Sequence, residues 1–266
     1  VAPVRTPGGT RRYRAADLER LRLLKAAVDM GHRIGDVARL DVEELKRRSA
    51  RAEASSPNGR AQMLSAIGKL ESSESHRLLS LQLSALGPAR FAREVAAPLV
   101  REIGERWSDG RLGIAHEHLA SAILRSLLGS TLLHSTANSF LGPRVVFGTP
   151  SGERHELGLM MAALTALGAG ASPLYLGVEL PVEDLLSAVE DTSAAALALS
   201  VVAMPPAQAT RIVSALRGGL PEGVHLWLGG AGASDLTPPS GVERIGSLED
   251  FEQRVILLRL ASGGAP

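Results

Sequence analysis

The chain has 266 residues, 45% hydrophobic and 21% charged, with 29 Lys+Arg against 28 Asp+Glu, which excludes a disordered charged tail and suggests two or three folded units. It has no Cys, so disulfides, thiolate zinc sites and cysteine nucleophiles are excluded. The basic opening VAPVRTPGGTRRYR is not a signal peptide and no apolar run approaches about 18 residues, so no membrane span is expected and a cytoplasmic location fits.

The charge is unevenly spread. Residues 1–50 hold 12 Lys+Arg and 7 Asp+Glu, leaving 17 and 21 for the remainder. A basic end on a mildly acidic body suits a small nucleic-acid-contacting module; a solvated, Arg-rich helical surface is the alternative. Pro7-Gly8-Gly9 is a turn signal, with a short extended arm expected on its far side. A helix is expected over about 16–30, with Asp17 near its start, Leu18, Leu21, Leu24 and Val28 on one face, and Gly31 at its end. Shorter helices are expected over 34–39 and from Asp41 to Arg48. About 50 residues with few large apolar groups are thin for a self-sufficient core.

RAEASSPNG, residues 51–59, reads as a linker. From about 60 to 137 the pattern is helical. Met63, Leu64, Ile67 and Leu70 form one stripe; Leu78, Leu79, Leu81, Leu83 and Leu86 a second. Phe91, Val95, Leu99, Ile103 and Trp107 recur at intervals of four, and Ile114, His118, Leu119, Ile123 and Leu127 continue on a fourth helix. Gly87-Pro88 and Asp109-Gly110 mark breaks. Four helices with short loops describe a bundle.

After Pro143 the period changes. RVVFGTP, SPLYLG, AALALSVV and HLWLGG are short apolar runs, and Glu243 to Gly246 is a candidate fifth strand. Helical patterns follow at Leu157–Leu167, Val182–Val189, Ala207–Leu216 and Leu248–Leu258. This alternation predicts a parallel sheet covered on both faces, with ligands beyond the carboxyl ends of its strands. Gly148 to Gly152, Ser200 and Gly229-Gly230 all fall at such ends, so three separated stretches can converge on one crevice.

His155 lies in the loop after the first of these strands, with Glu153 two residues before it and Glu156 one after. A carboxylate on one imidazole nitrogen strengthens the other as a metal donor. Zinc sites use three or four protein ligands and no HExxH is present, so a metal on His155 must take its other ligands from a cofactor; a solvated loop histidine is the alternative. There is no phosphate loop, no dinucleotide fingerprint and no Gly-x-Ser-x-Gly elbow, so a dehydrogenase and a serine hydrolase are disfavoured. Trp107 is followed, after nine residues, by Glu117-His118; it is either a core aromatic or a cap on a ligand. His116 and His118, two apart, point to different sides of a helix.

Residues 144–232 resemble the cobalamin-binding domain shared by methionine synthase and the corrinoid-dependent mutases. The family pattern, Asp/Glu-x-His-x-x-Gly, then Ser-x-Leu/Val, then Gly-Gly, is matched by Glu153 to Gly158, Ser200-Val201-Val202 and Gly229-Gly230, with 41 and 26 residues between the parts. The resemblance implies that His155 is the lower axial ligand of cobalt and that Glu153 supports it. It also implies that Ser200 contacts the displaced dimethylbenzimidazole tail, with Gly158 and Val202 completing the motif and Gly229-Gly230 making room.

Trp107 with Glu117-His118 resembles the signature of light-responsive, cobalamin-dependent repressors of the MerR superfamily. That likeness implies a tryptophan over the upper face of adenosylcobalamin, near the glutamate and histidine. Arg5 to Arg48 is similar to the wing and following helices of a MerR-type domain, with its first helix and recognition helix expected before Val1. One residue departs: the family has a histidine after the tryptophan, which takes the upper cobalt position after light, and here it is Ser108. A hydroxyl is a poor substitute for imidazole on cobalt.

The reading is therefore a multidomain α and α/β protein. It comprises a partial winged helix-turn-helix domain (1–50), a linker (51–59), a four-helix bundle capping the cofactor's upper face (60–138) and a Rossmann-like cobalamin-binding domain (139–266). It is expected to be a non-enzymatic regulator, a repressor whose assembly as a dimer or tetramer and whose binding to double-stranded operator DNA respond to adenosylcobalamin and to light. Arg5, Arg11, Arg12 and Arg14 are its expected DNA contacts. A corrinoid carrier for a methyltransferase or mutase, and a regulator that has lost its cofactor, are the rival readings.

Overall fold

The structure, a computed structural model, describes residues 4–5, 11–12, 15–29, 34–45, 57–136 and 142–263. The chain divides into two compact units, Val1–Gly87 and Pro88–Pro266, so the division falls within the helical stretch expected as one bundle.

In the first unit, β1 (Val4–Arg5) and β2 (Arg11–Arg12) pair antiparallel, Val4 opposite Arg12 and Arg5 opposite Arg11, as the turn signal between them predicts. Helix α1 (Ala15–Asp29) carries Asp17 in its first turn, where a carboxylate favours the positive helix end. Gly31 lies outside the described residues. The expected stripe on α1 is only partly realised. Leu24 packs with Leu23 and Leu40 on a small core of Ala27, Val37 and Leu45, whereas Leu18, Leu21 and Val28 are exposed. Among the described residues, α2 (Ile34–Val37) and α3 (42–45) bring Val37 and Leu45 against the Leu23, Leu24 and Ala27 side of α1, and Leu18, Leu21 and Val28 lie outside that cluster. Asp41 caps α3, its Oδ1 accepting the Glu44 N–H at 2.7 Å. The expected extension of α3 to Arg48 lies outside the described residues.

Helix α4 (Pro57–Gly68) begins inside the segment expected as linker, because proline's fixed φ and missing N–H suit the first helical position; residues 51–56 are outside the described set. Met63, Leu64 and Ile67 are buried, but Leu70 lies beyond the helix end at φ 56° and is exposed, so it leaves the stripe. Helix α5 (Ser72–Leu86) buries Ser75, Leu79, Gln82 and Leu86 and exposes Leu81.

The second unit opens with α6 (Pro88–Phe91), a π-helical turn (Ala92–Ala96) and α7 (Ala97–Ser108), which run on in helical backbone conformation. Pro98 has no N–H to give to the carbonyl four residues earlier, and the widened turn absorbs that loss. Phe91, Val95, Leu99 and Ile103 are buried as their spacing predicts; Trp107, the next in the series, is half exposed. Helix α8 (Ile114–Thr136) buries Ala120, Ile123, Leu124, Leu127, Leu128 and Leu132, while Ile114 and His118 are exposed, so the start of its expected stripe faces outward. Among the described residues no helix is long and apolar enough to cross a membrane.

The sheet has five parallel strands, β3 (Arg144–Pro150), β4 (Ser172–Leu180), β5 (Ala196–Ser200), β6 (His225–Gly229) and β7 (Val242–Arg244), in the order β4-β3-β5-β6-β7. Alternate residues serve opposite faces. Val146, Leu197, Leu199, Leu226 and Leu228 pack with α10 (Val182–Asp191) and α11 (Pro206–Gly219). On the other face, α12 (Leu248–Ser262) inserts Phe251 edge-on between Phe147 and Trp227, with ring centroids 5.9 and 5.4 Å apart. Such pairs add about 0.5–1.5 kcal/mol each beyond area burial. Helix α9 (Leu157–Gly168) is buried on nearly every side and packs against both the sheet and α8. The chain steps from β3 outward to β4 and returns to β5 on β3's other side. The crevice between the ends of β3 and β5 is therefore a switch point, where ligands of such sheets bind.

Candidate functional site

The loop leaving β3 turns tightly: Glu153 N–H donates to the Pro150 carbonyl at 3.0 Å, and Gly152 sits at φ 90°, a conformation that favours glycine. The turn drops the Glu153 side chain into the switch point, where the residue is only 1% exposed. Its Oε1 accepts the His155 N–H at 3.1 Å and lies 2.5 Å from His155 Nδ1. Its Oε2 accepts the N–H groups of Val202 and Ala203, at 2.7 and 2.8 Å, from the loop after β5. Burial pushes this carboxyl up, but the bonds from Val202, His155 and Ala203 outweigh it and hold the group at about 2. Glu153 is thus ionised at neutral pH and accepts only, so Nδ1 carries the proton, and the neutral form of the imidazole has its lone pair on Nε2. The His155 side chain is 59% exposed. The result is a carboxylate-held imidazole displayed at the carboxyl edge of the sheet.

The other motif parts meet this pair through strand pairing. Ser200 ends β5, buried, opposite Gly229 at the end of β6. Val201 N–H donates to the Gly229 carbonyl, and the Val201 carbonyl accepts the Gly232 N–H. A Cβ on Gly230 would lie 2.2 Å from the Val201 carbonyl oxygen, and its φ of 95° is left-handed, so only glycine fits. Gly229 and Gly158 have open space where a Cβ would be. Close backbone approach is therefore required of one glycine in the pair, and the other faces open space.

The other expected cofactor residues lie on either side of the turn between α7 and α8. Trp107 is 52% exposed in the last turn of α7. Glu117 Oε2 lies 2.5 Å from His118 Nδ1, and Ser121 donates to Glu117 Oε1 at 2.5 Å. Burial raises the Glu117 carboxyl, but its bonds to Ser121 and His118 bring it below the usual range. His116 is engaged elsewhere, its Nδ1 accepting the Gly113 N–H at 3.0 Å. The Ser108 hydroxyl donates to the Glu105 carbonyl of its own helix at 2.8 Å.

Arg125 of α8 donates to Glu156, the residue after His155, at 2.5 Å, and Tyr175 of β4 donates to the same carboxylate at 2.7 Å. Burial, then the bond to Glu156, keeps the Tyr175 phenol well above its ordinary range. This link between α8 and the histidine loop has no sequence signal, because its three residues lie in three different elements. Ala203, which helps fix Glu153, is equally silent in sequence, and Thr149 carries no signal beyond its place in the Gly148 to Gly152 stretch. Of the expected DNA contacts, Arg5, Arg11 and Arg12 lie on the β1–β2 hairpin, their side chains outside the described set, and Arg14 lies outside the described residues altogether.

Among the described residues no group of three or more His, Asp or Glu could hold a free metal ion. A single carboxylate-held imidazole, with open space at Gly158 in the helix that follows and at Gly229, fits instead a metal that brings its other ligands with it, as a corrinoid does.

The family described as MerR HTH family regulatory protein matches residues 1–42, and that described as B12 binding domain matches residues 60–130. The HTH-type transcriptional repressor CarH of Myxococcus xanthus is 35% identical over 243 residues, covering 88% of this chain and 81% of the repressor. The repressor CarA of the same organism is 27% identical over 235 residues, covering 88% and 78%. Among solved structures, the monomethylamine corrinoid protein of Methanosarcina barkeri superposes with a TM-score of 0.57 at 12% identity, covering 73% of this chain and 95% of its own, a likeness of fold alone. The chain belongs to the MerR-type family of cobalamin-dependent transcriptional repressors.

Proposed function

We propose that this regulator takes adenosylcobalamin with His155 as the lower axial ligand, and that the cofactor governs how protomers assemble on operator DNA. The Glu153–His155 pair carries the reading: a buried, ionised carboxylate keeps the proton on Nδ1 and leaves Nε2 to donate. Adenosylcobalamin, when bound, would supply a light-sensitive cobalt–carbon bond, while the residues above would hold and orient it. Ser200, Val202, Gly158, Gly229 and Gly230 would line the path of the nucleotide tail, with open space beside Gly158 and Gly229 to receive it. Trp107 offers an apolar ring to the adenosyl group, and Glu117 and His118 offer hydrogen bonds to its ribose or adenine.

The hairpin bearing Arg5, Arg11 and Arg12, followed by Arg14, contacts phosphates or the minor groove in this reading, and linked protomers bind a repeated operator better than one. The cofactor test is His155→Ala titrated with adenosylcobalamin. Loss of tight binding supports the assignment, and the parental affinity and spectrum remove it. The DNA test is the pair Arg11→Ala and Arg12→Ala in a protein carrying a complete winged domain. Weaker binding to every sequence with a flatter salt dependence is expected. Unchanged affinity and salt slope take the hairpin out of the interface.

A further inference from the structure

Thr149, the penultimate residue of β3, is completely buried. Its hydroxyl has one proton to give and lone pairs to receive, and both capacities are used. It donates to the Glu153 carbonyl at 2.6 Å and accepts the Glu179 N–H at 3.0 Å. Glu179 belongs to an irregular stretch of β4. Gly148 pairs with Gly177 but Pro150 with Leu180, so β4 carries one more residue than β3 across this step. That extra residue coincides with φ 99° at Gly177 and φ 58° at Glu179, a left-handed conformation unusual for glutamate. The Glu179 amide, displaced from the regular ladder, finds its acceptor in Thr149.

The Glu153 end is tied just as firmly. With its N–H on Pro150 and its carbonyl on Thr149, Glu153 has both backbone groups fixed, and its side chain can only enter the switch point. Thr149 does not itself bond to His155. A β-branched residue suits a buried strand, but valine would fill the same volume; only the hydroxyl satisfies both the Glu153 carbonyl and the Glu179 N–H.

We infer that Thr149 is a positioning residue for the axial histidine: its hydroxyl pins the Glu153 carbonyl to the bulged end of β4, and so sets where the Glu153 carboxylate presents His155. The inference rests on the reading of His155 as the cofactor's ligand.

Thr149→Val keeps shape and removes the hydroxyl, whereas Thr149→Ser keeps the hydroxyl. The probe is cobalamin in its paramagnetic cobalt(II) state, bound to protein grown with heavy-nitrogen histidine, so that magnetic resonance reports whether the axial nitrogen comes from the protein. Circular dichroism confirms the sheet, and optical titration gives affinity. Thr149→Val is expected to bind about 10–100-fold more weakly and to lose or dilute the heavy-nitrogen signature, with Thr149→Ser restoring both. Parental affinity and signature in Thr149→Val overturn the inference. If Thr149→Val does not fold, Thr149→Cys, a weak donor of similar size, takes its place with the same outcomes. His155→Ala is run alongside: a persistent parental signature there sinks the ligand assignment itself, whereas persistence in Thr149→Val alone sinks only the role of Thr149.

Discussion

Glu153 Oε1 lies 2.5 Å from His155 Nδ1, while the other oxygen of the same carboxylate holds two backbone N–H groups at the end of the neighbouring strand. A buried charge is costly unless hydrogen bonds replace its water, and here four donors do so. Glu153→Gln removes the charge and turns one acceptor into a donor facing N–H groups. Cofactor affinity is expected to fall about 10–100-fold, as second-layer changes at metal ligands do. Optical titration with adenosylcobalamin measures it, and an unchanged affinity would show that His155 is oriented by something else.

The same carboxylate predicts acid sensitivity of the cofactor-free protein. Its pKa in the fold is about 2, below the ordinary 4.5, so the unfolded chain takes up the proton first as pH falls. The stabilisation is fully present above pH 4.5 and is lost between there and about pH 2. Urea unfolding across this range should give a shallower pH slope for Glu153→Gln than for the parent; parallel slopes would remove Glu153 as the source.

Gly229 and Gly230 are adjacent but should respond oppositely. Gly230→Ala forces a Cβ against the Val201 carbonyl at a left-handed φ and is expected to destabilise the protein by about 1–3 kcal/mol. Gly229→Ala meets open space and should leave the urea midpoint nearly unchanged. If the cofactor tail passes there, Gly229→Ala should nevertheless weaken cobalamin binding. Unaltered stability in Gly230→Ala, or unaltered binding in Gly229→Ala, would contradict the respective roles.

Ser108 stands where the resemblance read from the sequence implies a histidine, and its hydroxyl donates to the Glu105 carbonyl. Illuminated protein loaded with adenosylcobalamin should therefore lack the spectrum of cobalt held between two histidines, and Ser108→His should introduce it. A two-histidine spectrum in the parent that disappears in His116→Ala or His118→Ala would assign the upper position to one of those residues.

Much of this architecture is legible in the sequence because it depends on local repetition. Short apolar runs alternating with helical stripes mark four of the five strands and their crossovers, since a strand covered on both faces must be apolar throughout; the edge strand, Val242–Arg244, is half exposed and carries no such run. The stripe from Phe91 to Ile103 is buried as read, whereas Leu18, Leu21 and Leu70 are not. Spacing says which residues share a face, but only the neighbouring elements decide whether that face is covered. The exposure of Trp107 was equally hidden, because it continues a buried series and differs only in lying where that series ends.

The sequence by itself offered the candidates: Glu153, His155, Ser200 and Gly229-Gly230 stand out because their type, order and spacing resemble a known motif. Their convergence was decided by strand order. Because the chain crosses from β3 to β4 and returns to β5 on β3's other side, the loop bearing His155 meets the amides of Val202 and Ala203. The two bonds of Thr149, and the bonds of Arg125 and Tyr175 to Glu156, likewise exist only in the folded chain. Each joins groups from separate elements, and a hydrogen bond at such range depends on where packing puts the backbone, which no local pattern of residues encodes.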